Sequence, residues 1–221
     1  MTRPAGGPRA PVPALAGTGL LADDLYLIAH HERTGRPLLA PRAVGLGLAG
    51  ALLGELVLSD AVSLTAGQVT VTGRAPGEAL SAAVAGQVAA EPWPRPAGDW
   101  LAFLARTAPA GVAGRLEQAG YLTAARSWRG QRWIPTDPDC AFAPVARVKA
   151  ALDPRQLAGA QAVALAGLAA ACGLSARLAL YLPSAACHRL PSAAGWLEPG
   201  LREVINQTQA AVDAAVLAHR I

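Results

Sequence analysis

Cysteine is scarce in this sequence: Cys140, Cys172 and Cys187 are the only three in 221 residues. The number is odd and no two lie close together, which excludes a disulfide framework and a Cys-x-x-Cys metal clip. A reducing compartment, the cytoplasm, is the expected setting. Charge is scarce as well, at 15% of residues against 52% hydrophobic, which excludes a chain that is disordered throughout. Long apolar runs are missing: Ala43–Gly54 and Ala162–Leu174 are the longest, and a bilayer span needs about 20 residues. Both runs therefore read as buried core helices, and any membrane contact is expected to be peripheral. Residues 1–17 carry prolines at 4, 8, 11 and 13 and no apolar stretch of signal-peptide type, so they read as a floppy arm before a single helical domain over 18–221. The common catalytic signatures are missing too. There is no G-x-S-x-G, no G-x-x-x-x-G-K-[ST], no H-E-x-x-H and no G-x-G-x-x-G. The expectation is a protein that is not an enzyme and needs neither metal nor cofactor.

What is present is a mild basic bias. There are 19 basic and 15 acidic residues, and all the basic ones are arginine except Lys149. Setting aside Arg3 and Arg9 in the arm leaves an excess of two, too little to announce nucleic acid.

The hydrophobic pattern predicts a mostly α fold, a compact multi-helix bundle with two peripheral β-hairpins. Thr18 is placed to cap a first helix over about 19–31. Arg33-Thr34-Gly35-Arg36-Pro37 is a turn, and Pro41 suits the first turn of a helix over 41–58 that is apolar all round. Residues 62–64 and 69–71 form a hairpin, followed by a helix over 77–90 and an extended Pro92–Pro96 connector. Asp99 is expected to cap a short helix that Pro109 interrupts, with a helix over 110–119 closed by Gly120. A second hairpin falls in 125–135. Further helices follow over 145–152, 155–172 (capped by Asp153, stopped by Gly173), 175–182 and 200–219.

Four sets of residues invite a functional reading. Asp23 and Asp24 are adjacent on a helix, so their side chains diverge by about 100° and form no shared metal site; a solvated acidic edge is expected. His30 and His31 point apart in the same way and read as a surface helix end. Cys187-His188 lacks a second spaced pair and reads as a free thiol beside a loop histidine, not zinc. Glu55 is different: an unpaired carboxylate inside an apolar helix is expensive, so it needs an arginine, backbone donors or a proton.

The segment Arg126-Ser127-Trp128-Arg129-Gly130-Gln131-Arg132-Trp133-Ile134 carries more. With Gly130-Gln131 as a two-residue turn, Trp128 pairs with Trp133 and Arg129 with Arg132, the indoles on one face and the guanidinia on the other. Two readings stand at this point. Either the hairpin protrudes to meet a membrane or a partner, or it tucks its indoles onto the core. Helix followed by hairpin, twice, is also the cadence of a winged helix. However, helices 41–58 and 110–119 offer almost nothing that reads bases, so nucleic acid is not the expected partner.

Four stretches in order resemble the Golgi phosphoprotein 3 family in its shorter bacterial form. They are Leu20-Leu21-Ala22-Asp23-Asp24-Leu25-Tyr26-Leu27-Ile28, Arg33-Thr34-Gly35-Arg36, Gly47-Leu48-Ala49-Gly50-Ala51-Leu52-Leu53-Gly54-Glu55-Leu56-Val57-Leu58 and Arg115-Leu116-Glu117-Gln118-Ala119-Gly120-Tyr121-Leu122. The resemblance spans about residues 18–221. It implies a non-enzymatic helical protein that binds phosphatidylinositol 4-phosphate on a basic face, attaches peripherally to the inner (cytoplasmic) face of a membrane and holds the tails of membrane proteins. The family's head-group pocket uses a Trp and an Arg around the start of the second helix and two basic residues before the later helix. Aligned on the glycines and leucines, these fall on Ala40, Ala49, Arg106 and Pro109, so one of the four is kept. A single charged hydrogen bond supplies about 1.5–3 kcal/mol, too little to hold a phosphomonoester tightly. Arg42, near a helix N-terminus, and Arg36 just upstream are the expected substitutes in an altered site for anionic phospholipid. The competing expectation is that Arg106 pairs internally with Asp99 or Glu55. In that case the chain is a protein-interaction adaptor, with the hairpin around Trp128, Arg129, Arg132 and Trp133 joining a partner or a second copy into a homo-oligomer.

Overall fold

The computed structural model describes residues 17–127 and 130–218; residues 1–16 of the expected arm, and Trp128 and Arg129 of the second hairpin, lie outside the described residues. The elements run in the order α1 (Leu21–Ala29), α2 (Pro41–Leu58), β1 (Val62–Thr65), β2 (Gln68–Val71), α3 (Ala79–Ala89), β3 (Arg95–Pro96), α4 (Ala97–Leu104), α5 (Ala108–Gln118), β4 (Leu122–Ser127), β5 (Gly130–Pro135), α6 (Phe142–Ala151), α7 (Ala160–Ala171), α8 (Ser175–Leu178), α9 (Ser184–Arg189) and α10 (Pro199–Ala218). Short 3-10 turns cover Pro138–Ala141 and Leu190–Trp196. The fold is mostly α with two small antiparallel sheets, as the pattern predicts.

The architecture follows from α2. Its residues from Ala43 to Leu56 are buried without a break, so no face is left for water. A helix apolar all round has to be wrapped, and α1, α4, α5, α7 and α10 wrap it. By length and hydropathy α2 could also cross a membrane, but 78% of it is buried inside the protein. Leu48, Leu52, Leu53 and Leu56 are fully enclosed, each contributing about 1.5–3 kcal/mol of burial. The wrapping depends on small residues. A Cβ on Gly50 would overlap the hydroxyl of Thr208, which is buried on α10 and donates to the Val204 carbonyl at 2.7 Å. Gly50→Ala is therefore expected to lower stability by about 1.5 kcal/mol through overpacking, despite alanine's better helix propensity. A urea midpoint unchanged or raised would refute that.

The first hairpin has the expected strands, pairing Leu64 with Val69 and Thr65 with Gln68. Its two-residue turn, Ala66-Gly67, has positive φ at both positions, the primed geometry that suits twisted strands. The Pro92–Pro96 connector does more than expected: Arg95 and Pro96 pair with β2 as a third strand.

Several local expectations need correction. Thr18 does not cap α1, whose first flanking residue is Leu20; its hydroxyl accepts from the Leu20 N–H at 3.3 Å, outside the helix. Asp99 sits inside the first turn of α4, and Pro109 opens α5 rather than breaking a helix. The helix expected from Arg155 begins at Ala160. Asp153 does accept from the Arg155 N–H at 3.0 Å, but as a turn, the same local pattern a helix cap would use.

The second hairpin is registered differently from the expectation. Ser127 pairs with Gly130, Ala125 with Arg132 and Ala124 with Trp133. Trp133 and Arg132 are thus opposite alanines, and their expected partners Trp128 and Arg129 lie outside the described residues. Gly130 and Gln131, expected at the tip, are instead the first two residues of β5, paired with Ser127 and Arg126.

Candidate functional site

Two constellations stand out, one buried and one exposed. The buried one centres on Arg115 of α5, whose side chain is 9% exposed. Its Nη2 and Nη1 grip Glu55 of α2 through Oε1 at 3.0 Å and Oε2 at 3.1 Å. Its Nε donates to Asp23 Oδ1 at 2.8 Å, and Nη1 also donates to Glu78 Oε2 at 2.7 Å. One planar fork thereby joins α1, α2, α5 and the start of α3. The backbone N–H of Ala22 and the Ser81 hydroxyl complete the shell of Glu55, at 2.8 and 2.9 Å. Glu78 in turn caps α3, accepting from the N–H groups of Leu80 and Ser81 at 2.9 Å each.

The charges do not balance: three carboxylates face one guanidinium. Burial pushes Asp23 up to about 6 against the pull of Arg115 and of the Thr18 hydroxyl. Its Oδ2 is enclosed with no hydrogen-bond partner, the position a proton would occupy. At Glu78 burial is outweighed by its backbone donors and Arg115, and the carboxyl is held below its ordinary value. Beside this cluster, Asp24 turns the other way and meets Arg147 of α6, whose Nε lies 2.8 Å from Oδ2. Burial raises Asp24 above its ordinary value even so.

These observations correct several expectations. Asp23 and Asp24 are 0% and 1% exposed, not a solvated edge. Their side chains do diverge, toward two different arginines. Glu55 is in a core ion pair as expected, but its partner is Arg115, not Arg106. His30 is not at a surface: it is buried, stacked on Tyr26 at 3.9 Å between ring centroids, with Nδ1 2.7 Å from the Tyr26 carbonyl. Burial lowers its pKa and keeps it neutral. Cys187 is a free thiol near the Leu182 carbonyl, but it and His188 lie on α9 rather than in a loop. No metal-binding group of His, Cys, Asp or Glu exists among the described residues.

The exposed constellation is at the opposite end of α2 and α5. Gly45 lies against the Ala105 carbonyl so closely that a Cβ would overlap it. Ala105 caps the end of α4 just before α5, and further along α2 and α5 Glu55 meets Arg115, so α2 and α5 run in the same direction and their N-termini share one end of the molecule. Arg42, one turn before Gly45, shares its face of α2; Arg106 directly follows Ala105. Both are exposed, and among the described residues neither they nor Arg36 form an ion pair. Internal pairing of Arg106 with Asp99 or Glu55 does not occur. Neither α2 nor α5 has a side-chain cap or an acid in its first turn, so each presents unsatisfied N–H groups and the positive end of its dipole. Phe103, 46% exposed, lies 6.0 Å from the Arg106 guanidinium and edge-on to Trp100.

Of the positions aligned with the family's pocket, Ala40 flanks α2 at the surface, Pro109 opens α5, and Ala49 is fully enclosed in the core. Arg36 sits on a turn held by the Gly35 N–H to the His31 carbonyl at 2.9 Å. Gly35 has φ +61°, and its missing Cβ lets the turn press on the Trp133 carbonyl of β5. Arg36 therefore stands beside the second hairpin. In that hairpin Trp133 is half-buried and donates Nε1–H to Glu117 at 3.2 Å, so this indole is tucked against α5.

A search of curated proteins finds no match to the chain. Against family models, Golgi phosphoprotein 3 (GPP34) matches residues 21–208, from the first residue of α1 to Thr208 on α10. That match takes in the Arg115 cluster and the Arg42–Arg106 end alike, and the chain belongs to the Golgi phosphoprotein 3 family.

Proposed function

We propose that the protein binds anionic phospholipid head groups at a membrane surface and performs no chemistry on them. The observation that carries this reading is the pair of exposed arginines without acidic partners, Arg42 and Arg106, at the common N-terminal end of α2 and α5. A phosphomonoester carries close to two negative charges and three acceptor oxygens. Two guanidinia and two helix N-termini supply matching donors and positive potential without a side chain having to be desolvated first. Phe103 beside Arg106, and the exposed Leu38 shortly before α2, give the same region apolar groups that the interface of a bilayer accepts. Arg36 on its turn adds a cation at the edge. Phosphoinositide-like lipid on the inner, cytoplasmic face of a membrane is the ligand this reading favours, with membrane-protein tails as clients held there.

Liposome co-sedimentation tests it. Vesicles containing phosphatidylinositol 4-phosphate are expected to pellet the protein at low salt, and phosphatidylcholine vesicles are not. Arg42→Gln with Arg106→Gln is expected to weaken binding by at least about tenfold, the worth of one charge-assisted bond. Pelleting that is equal on neutral and anionic vesicles, or unchanged in the double variant, would overturn the reading.

A further inference from the structure

Apart from that end, the loop between α6 and α7 forms one wall of a cleft of about 310 Å³ completed by α9. Three cations line it: Lys149, Arg155 and Arg189. None of them has an acidic partner among the described residues. The one acid in the lining, Asp153, is already occupied by its own turn, accepting from the Arg155 N–H at 3.0 Å and from Gln156 Nε2 at 3.5 Å. Arg189 is fixed rather than free, because its Nη1 donates to the Leu152 carbonyl at 2.7 Å and so closes the C-terminal end of α6. Its remaining donors are left over for another acceptor.

The cleft continues past Arg189 and Asp153 into a second one of about 430 Å³, which shares Leu152, Asp153, Pro154 and Arg189 with it and is walled by Val163 and by Trp196. Trp196 is 52% exposed, unusual for so large an apolar side chain next to a core. One rim thus divides a cationic half from a half with an open indole face. Volumes of this size are those of small-molecule sites.

We infer that this double cleft is a binding site for a ring-bearing organic phosphate of the nucleotide class, its phosphates on Lys149, Arg155 and Arg189 and its base stacked on Trp196. The pairing of functions is chemical. Three cations without acidic partners match a di- or triphosphate better than a single carboxylate, and an exposed indole beside them matches a planar base. The site shares no residue with the Arg42–Arg106 end, so it stands or falls independently of lipid binding.

Isothermal titration calorimetry of the full chain with ADP, adenosine and inorganic pyrophosphate tests it. ADP is expected to bind about tenfold more tightly than pyrophosphate or adenosine, because it alone fills both halves. Trp196→Ala is expected to bring ADP down to the pyrophosphate level while leaving pyrophosphate unchanged. Lys149→Gln with Arg155→Gln is expected to weaken ADP and pyrophosphate together. These side chains are at the surface, and circular dichroism of each variant verifies that the fold is kept. The inference is overturned if ADP binds no more tightly than pyrophosphate, if either variant leaves ADP binding unchanged, or if none of the three probes binds below about 1 mM.

Discussion

Arg115→Met is expected to remove a large share of the protein's stability, about 3–5 kcal/mol at neutral pH, out of a total of about 5–15 for an ordinary domain. The reason is not the loss of one attractive pair. Among the described residues Arg115 is the single cation that touches Asp23, Glu55 and Glu78, of which the first two are almost entirely enclosed. Without it those carboxylates are buried facing one another, with the Ser81 hydroxyl and the Ala22 N–H as the described donors left to Glu55. Methionine fills the volume, so the loss reads the uncompensated charge rather than a cavity. Arg115→Lys keeps one positive charge but cannot reach three acids with a rigid fork, and an intermediate loss is expected. Arg147→Met gives a smaller loss, because that side chain is 27% exposed and its pairing with Asp24 is already partly screened by water. Urea unfolding followed by circular dichroism measures all three. An unfolding free energy for Arg115→Met within about 1 kcal/mol of the wild type would mean that the cluster does not hold the four elements together.

That cluster also marks the limit of what a sequence discloses. The all-apolar α2 is legible from composition, and with it the need of Glu55 for a partner. The partner is not, because Arg115 lies 60 residues away and no local pattern separates it from Arg106, which is exposed. Asp23 and Asp24 mislead for a sharper reason. Two acids in the first turn of a helix are what the helix dipole favours at a surface, and only the distant Arg115 and Arg147 mark them as interior. His30 misleads in the same way, since its stacking on Tyr26 is a matter of tertiary burial. The second hairpin is legible but its register is not, because alternation of side chains along the two strands is the same whichever residues face each other. By contrast, the likeness of four stretches to the Golgi phosphoprotein 3 family is legible without any of these contacts, and it agrees with the match over residues 21–208. At the exposed end, the resemblance supplies Arg42 and Arg106 as members of one expected site. What it cannot supply is that α2 and α5 are parallel, which brings their N-termini and both arginines to one place.

The unequal charge count in the cluster leads to a second large effect, in the pH dependence of stability. With Asp23, Glu55 and Glu78 all ionised, three negative charges meet one positive charge; a proton on Asp23 Oδ2 removes one of them and gives an enclosed, unpartnered oxygen its hydrogen. Burial accordingly holds Asp23 at about 6 in the folded protein against an ordinary value of 3.8. A carboxyl whose pKa is raised on folding binds its proton more tightly folded than unfolded. It therefore contributes stability as pH falls through the folded value toward the unfolded one, and loses it as pH rises again. From the two values, lowering pH from about 7 to about 4.5 favours the wild type by about 2 kcal/mol through Asp23. Asp24, also raised, acts in the same direction. His30, lowered by burial, opposes both as pH falls, and so does Glu78 near its own range. Asp23→Asn isolates the single contribution, since the amide keeps an acceptor for Arg115 and titrates nowhere in this window. The variant is expected to be the more stable protein near neutral pH, and its advantage is expected to shrink by about 2 kcal/mol at about pH 4.5. Urea midpoints at the two pH values measure the difference directly. A gap between variant and wild type that does not change with pH would show that Asp23 stays ionised in the fold, with Arg115 alone carrying all three acids.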